Sequence, residues 1–228
     1  MSRLKSGGEE GADLHGSDTS AADRADGPKP LSSSRKSAKK RDAIVRAAIQ
    51  IINAKSFALA TMSEIAAALD LRDAALYYYF PSKQSLVYAC HVQSLERFES
   101  ILGNVDAAGA TGGDKIRRFV HDLIVDALRD GPQIYFGDFS YLEDAERDTL
   151  EAWGDRLKAT LQRFLEEGME DGSVIRCEAP IVVQLMLGML IWMPKWVPAF
   201  EGMTGKRLME AIDAFSFQGL SLVTGRTR

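Results

Sequence analysis

Four aromatic residues in a row, Tyr77-Tyr78-Tyr79-Phe80, sit inside the stretch LRDAALYYYFPSKQSL, with Arg72 just upstream and Lys83 just downstream. Phenol hydroxyls donate hydrogen bonds. A guanidinium presents a planar fork to paired acceptors, and an ammonium is a compact positive charge. Such a set recognises anions and polar edges by binding, without making or breaking bonds. Nothing else in the chain suggests covalent chemistry. His15, His91 and His121 show no metal-ligand spacing with one another or with Cys90 and Cys177. There is no glycine-rich phosphate loop, no nucleophile elbow and no carboxylate pair at a strand end. The Asp and Glu residues between Asp138 and Asp155 read as solvated helix faces. The expectation is a protein that is not an enzyme, with no catalytic residue, no bound metal and no cofactor.

These side chains need short, rigid elements to present them. Ile44, Ala48, Ile51 and Ile52 recur at helical spacing, so a helix runs from about Lys40 to Lys55-Ser56, with Phe57 closing over the core. Thr61-Met62-Ser63-Glu64 has the form of a capping box opening a helix over about Met62–Leu69. Asp70 falls where the chain must turn, and Asp tolerates a left-handed backbone better than most residues. A second short helix begins at Arg72 or Asp73 and stops before Pro81. Ser82 then caps a longer helix, about Lys83–Leu102. Two short helices joined by a tight turn behind a packing helix form a helix-turn-helix, whose second helix enters the DNA major groove. Leu76, Tyr79 and Phe80 serve the core in this arrangement, which leaves Tyr77 and Tyr78 on or near the outer face.

Charge is distributed unevenly along the 228 residues. Residues 1–28 carry net −3, residues 29–90 carry 10 Lys/Arg against 4 Asp/Glu for net +6, and residues 91–228 carry net −7. A basic module beside an acidic body is invisible in the overall charge of −4 but fits a polyanionic partner. Residues 1–38, rich in Gly, Ser, Asp and Ala, read as a disordered tail. Its basic end, Arg35 to Arg41, either tracks DNA phosphates or only keeps the tail solvated. Two distant cysteines fit a reducing, intracellular setting, and the N-terminus has no apolar run of secretory type. The most apolar segment, Ile181–Met193, is short of the roughly 20 residues of a membrane span and reads as a helix buried on most sides.

At this level of detail the region from Arg41 to Ala89 resembles the TetR family of bacterial transcriptional regulators. The resemblance rests on Phe57, on Thr61 through Ile65-Ala66, on Leu76-Tyr77-Tyr78-Tyr79-Phe80, and on Pro81-Ser82-Lys83-Gln84-Ser85-Leu86. It implies an all-α protein with a helix-turn-helix domain at 39–88 and a larger helical ligand-binding and dimerisation domain at 89–228. It also implies a cytoplasmic homodimer acting as a repressor on an inverted-repeat, double-stranded DNA operator. A small, largely apolar effector would release it. The chain departs from the family at Asp70, where the turn usually has Gly, at Arg72, where a Ser or Thr cap is usual, and at Asp73, often Lys.

The DNA-binding residues expected on this basis are Thr61, Ser63, Arg72, Ala75, Tyr77, Tyr78 and Lys83. Arg is a poor cap, so Asp73 is expected to cap one residue later and to leave Arg72 free for a guanine edge. Tyr77 and Lys83 suit phosphates, Lys83 with help from the N-terminal end of its helix. Thr61 caps, touches phosphate, or both. Ser63 is within reach of base or phosphate, and Ala75 suits a thymine methyl. Tyr78 suits a base edge or sugar, or else is a half-buried ring with a wet hydroxyl.

Beyond Asp114 the pattern predicts helices at about 114–129, 133–145, 147–170, 179–196 and 205–223. The last two, with Leu208, Ile212, Phe215 and Leu220 on the final one, suit a four-helix dimer contact. The stretch from Gly188 to Trp196 also looks like a TetR subgroup that includes regulators of fatty-acid and acyl-CoA metabolism. On that likeness Phe136, Phe139, Trp153, Met169, Trp192 and Trp196 would wall a pocket for an acyl-CoA or another hydrophobic compound. Met and aromatic residues at helical spacing are more often core than ligand box, so a plain core is the commoner reading for any one of them. The competing reading is a helical ligand-binding or interaction protein that no longer binds DNA, toward which the acidic Asp70 and Asp73 lean.

Overall fold

The computed structural model describes residues 31–134 and 139–218, and every regular element among them is helical. The helices are α1 Leu31–Lys55, α2 Met62–Ala67, α3 Asp73–Tyr79, α4 Lys83–Ala107, α5 Gly112–Asp130, α6 Asp144–Asp171, α7 Ala179–Trp196 and α8 Gly205–Ile212. A short 3-10 turn follows α7, and a π-type turn, Asp213–Gln218, follows α8.

Helix α1 starts at Leu31, inside the segment 1–38 that composition marks as disordered. Nothing between Leu31 and Arg41 breaks a helix, and adding turns to one already anchored by a core avoids the cost of nucleation. The anchor is a buried stripe of Ile44, Val45, Ala48, Ile49 and Ile52. It meets Ile65 and Ala66 of α2, Leu76 of α3, and Leu86, Val87 and Cys90 of α4 in one compact core. From Leu95 onward α4 belongs to a second, larger core with α5, α6, α7 and α8. A single 25-residue helix therefore joins both cores, and the domain boundary expected at 88 falls inside a continuous rod.

The helix expected at 133–145 is not seen among the described residues before Asp144, where α6 begins. The described part of that segment is extended or turned, and it packs into both cores, Ile134 into the first and Leu142 into the second. Side chains meet two of its backbone polar groups. Ser94 accepts from the Ile134 N–H at 3.1 Å, and Asn53 donates to the Gln133 carbonyl at 2.8 Å.

Helix α7 is also not buried on most sides. Val183, Leu187, Leu190 and Met193 face the core, whereas Ile181, Leu185 and Trp192 on the opposite side are 54%, 70% and 50% exposed. Phe215, after α8, is exposed as well. A helix apolar all round has two faces to cover, and one chain covers only one of them. The span Ala179–Ala199 is long and apolar enough by composition to cross a membrane, yet its inner face is part of the larger core. Leu220 and Phe136 lie outside the described residues.

Candidate nucleic-acid interface and cavity

Local physics sets the helix-turn-helix. Thr61 caps α2, its hydroxyl accepting from the Glu64 N–H at 3.2 Å. Only half of the expected capping box forms, because the Glu64 carboxylate turns outward to Lys55 at 2.5 Å. Between α2 and α3 the chain reverses at Asp70, which takes φ 53°, the left-handed conformation that glycine usually supplies. Arg72 stands at the N-cap of α3 with no side-chain cap bond. Asp73 does not cap: it is the first helical residue, and its carboxylate accepts the hydroxyl of Ser63 from α2. A carboxylate there suits the positive end of the helix. It ties α2 to α3, so the Ser63 hydroxyl that was expected to be free for DNA is engaged within the protein.

On α3, Leu76 is fully buried, and Phe80, just past its end, is 1% exposed, while Tyr77 and Tyr78 are 48% and 82% exposed. Tyr79 is half-buried, with Tyr78 edge-on to it at 5.3 Å. Ala75 is half-buried, and Arg72 is exposed. Thr61, Ser63, Arg72, Tyr77 and Tyr78 are all exposed, on the starts of α2 and α3 and along α3. Ser82 opens α4 with a reciprocal capping box to Ser85. Lys83 follows at the first position of α4. Its ammonium lies 4.2 Å over the Phe57 ring, and burial pulls its pKa below the ordinary lysine value.

Up to Cys90, the ion pairs among the described residues are Arg46–Asp42 and Lys55–Glu64, each at 2.5 Å. Arg35, Lys36, Lys39, Lys40 and Arg72 have no carboxylate partner among those residues. The basic character of this module is therefore free to act on an outside anion.

A cavity of about 630 Å³ opens in the second core between α4, α6 and α7. Leu95, Phe98, Leu157 and Ile191 contribute apolar wall, and Glu151, Asp155, Lys158 and Gln184 are its polar side chains. Of the six pocket residues expected from the sequence, Phe139 and Trp192 line it. Trp153 packs half-buried against the core without lining the cavity, its indole N–H buried with no hydrogen-bond partner among the described residues. Met169 accepts the Cys177 N–H on its sulfur at 3.3 Å, and Trp196 lies edge-on to Phe200 at 5.5 Å. Residue spacing along one helix cannot say which neighbour a ring meets, and these three meet packing partners. Leu95 and Phe98 were missed because on α4 they look like ordinary core residues.

Two family profiles match the chain: "Bacterial regulatory proteins, tetR family" over residues 44–90 and "Tetracyclin repressor-like, C-terminal domain" over residues 109–213. No curated protein sequence matches. Among solved structures, the TetR family transcriptional regulator PfmR from Thermus thermophilus is 23% identical, with TM-score 0.65, over 79% of this chain and 99% of that one. AibR, solved with isovaleryl coenzyme A and operator DNA, is 21% identical, with TM-score 0.65, over 76% of this chain and 95% of that one. A ketosteroid transcriptional regulator of Mycobacterium tuberculosis is 14% identical, with TM-score 0.61, over 75% and 91%. These likenesses speak for the fold, and the two profiles cover both halves of it. On the strength of those two profiles, over a helix-turn-helix whose α3 faces outward, the chain belongs to the TetR family of DNA-binding transcriptional regulators.

Proposed function

We propose that the protein is a homodimeric repressor that places two copies of α3 in successive major grooves of an inverted-repeat operator and is released by a small apolar effector. The observation that carries this reading is the outer face of α3. Arg72, Tyr77 and Tyr78 are exposed at a short helix whose opposite side is locked into the core. In the complex Arg72 reads a guanine edge and Ala75 a thymine methyl. Tyr77, Thr61 and Lys83 hold phosphates, and Tyr78 packs on sugar or base. Ser63 acts mainly by holding Asp73.

The uncovered face of α7, with Ile181, Leu185, Trp192 and nearby Phe215, supports dimerisation through a second copy of the same surface. Two-fold symmetry then sets the half-site spacing, one helical turn of DNA or a multiple of it. The cavity walled by Phe139 and Trp192 supports an effector that is mostly apolar, because apolar and aromatic side chains make up most of its lining, with Glu151, Asp155, Lys158 and Gln184 left to meet a polar end. The AibR complex shows that a protein of this fold holds an acyl-CoA, which makes that class one to try among other hydrophobic compounds. Release requires that the effector bind one arrangement of the dimer more tightly than the other.

The test is selection of fragmented genomic DNA by the purified protein, followed by footprinting. Recovery of a short inverted repeat, with affinity falling steeply as salt rises, supports the reading. Retention of no specific sequence at low salt refutes it and favours a helical protein without a DNA role.

A further inference from the structure

Tyr141 packs against both cores and touches the helix-turn-helix directly. It lies in the turn between α5 and α6, two residues after the cavity-lining Phe139. Its ring stacks on Phe57 at 3.9 Å between centroids and 15° between planes. Its hydroxyl is 2.9 Å from Nε2 of the buried His91 on α4, and its carbonyl accepts from the Gln84 side chain at 3.0 Å. Phe139 meets the other side of the same hub, edge-on to the His91 ring at 4.9 Å.

The far ends of these contacts are the parts that aim α3. Phe57 follows Ser56, whose φ of 94° marks the reversal after α1, and it carries the Lys83 ammonium on its face. Lys83 in turn reaches back to the Ala58 carbonyl at 3.5 Å. Gln84 lies in the first turn of α4. One residue of the ligand-binding half therefore grips both the turn leading into α2 and the start of α4, and α3 hangs between them.

The geometry points to Tyr141 as the positioning residue that couples the cavity to the DNA-binding face. A guest that moves Phe139 moves Tyr141 through their common backbone and through His91, and Phe57 and Gln84 follow. This rests on the reading of the protein as a DNA-bound, effector-released repressor. Coupling between two sites is reciprocal, so it can be read without knowing the effector. DNA binding at α3 must tighten or loosen the cavity wall by the same route.

The test is amide hydrogen exchange of the full-length protein with and without the operator recovered by genomic selection. In the unchanged protein, operator changes exchange in peptides covering 150–158 and 184–192, which line the cavity. Tyr141→Ala abolishes that remote change while the peptides of α2 and α3 still respond, and Tyr141→Phe, which keeps the stack on Phe57, retains most of it. A merely structural role would lower operator affinity or melting temperature without silencing the remote response. A remote response that survives in Tyr141→Ala, or that is missing from the unchanged protein bound to its operator, overturns the assignment. A protein that binds no operator fails at the earlier step, and the proposed function falls with it.

Discussion

Burying His91 makes a specific demand on pH. Its side chain is fully buried on α4, and burial pushes its pKa from 6.5 down to about 4. The folded protein therefore keeps the ring neutral through a range in which the unfolded chain takes up a proton. Between pH 6.5 and 4 the unfolded state binds more protons, so stability rises with pH in this window and is complete above it. On acidification from pH 7 to pH 5, linkage with those two values removes about 2 kcal/mol. For a chain of this length that corresponds to a fall of roughly 4–8 °C in melting temperature. The carboxylates held low by ion pairs, Asp106 beside Arg163 and Lys115, and Glu167 beside Lys115, lose their contribution only as pH falls through their own depressed values. The pH 5–7 window thus isolates the histidine. Denaturant unfolding at fixed protein concentration should show a clear slope for the unchanged protein and a nearly flat profile for His91→Gln. Parallel profiles would refute the argument, and a histidine accessible to water would be the replacement.

Three further outcomes are expected. Arg72→Ala should leave the fold intact, since Arg72 makes no cap bond, and should cost about 1–3 kcal/mol of discrimination at one guanine per half-site, measured by competition with base-substituted operators; unchanged base preference would remove Arg72 from direct readout. Gly154 lines the cavity, and a Cβ there would meet nothing within 4 Å. Gly154→Leu should therefore project a side chain into the cavity with no clash at its Cβ and favour the helix by up to about 1 kcal/mol, keeping operator binding while weakening release by any effector found; full release would place the effector elsewhere. Leu185→Glu should shift the protein to monomer in sedimentation experiments, losing roughly 3–6 kcal/mol of apolar burial over the two copies, and operator affinity should fall with it; an unchanged dimer would assign this face to another partner.

Much of the DNA-binding half was legible because its signals are local. The Thr61 and Ser82 caps, the left-handed Asp70 and the stop before Pro81 each depend on a few neighbouring residues, and each lies where the sequence indicated. The burial of Leu76 and Phe80 against the exposure of Tyr77 and Tyr78 follows from the period of one short helix. The role of Asp73 was not legible. Whether it caps α3 or binds Ser63 depends on how closely α2 approaches, ten residues back in the chain. The far side of the protein was less legible still. Trp153, Met169, Trp192 and Trp196 share composition and spacing, but only Trp192 reaches the cavity. Tyr141 carried no signal beyond being one aromatic residue among several in its turn.

By itself the sequence determined an all-helical chain, a helix-turn-helix with its outward tyrosines, the family it belongs to, and the concentration of basic charge around that module. The family rests on the resemblance carried by residues such as Leu76 to Leu86, and the rest follow from periodicity, caps and composition, which are properties of contiguous residues. Tertiary structure alone decided that α4 serves two cores, that α7 keeps an uncovered apolar face, that two of the expected aromatic residues meet at one cavity, and that Tyr141 joins that cavity to the turn before α2. Each of these is a contact between segments far apart in the chain, as Phe57 and Tyr141 are. Packing of the whole chain chooses such neighbours, and local preference carries no information about them.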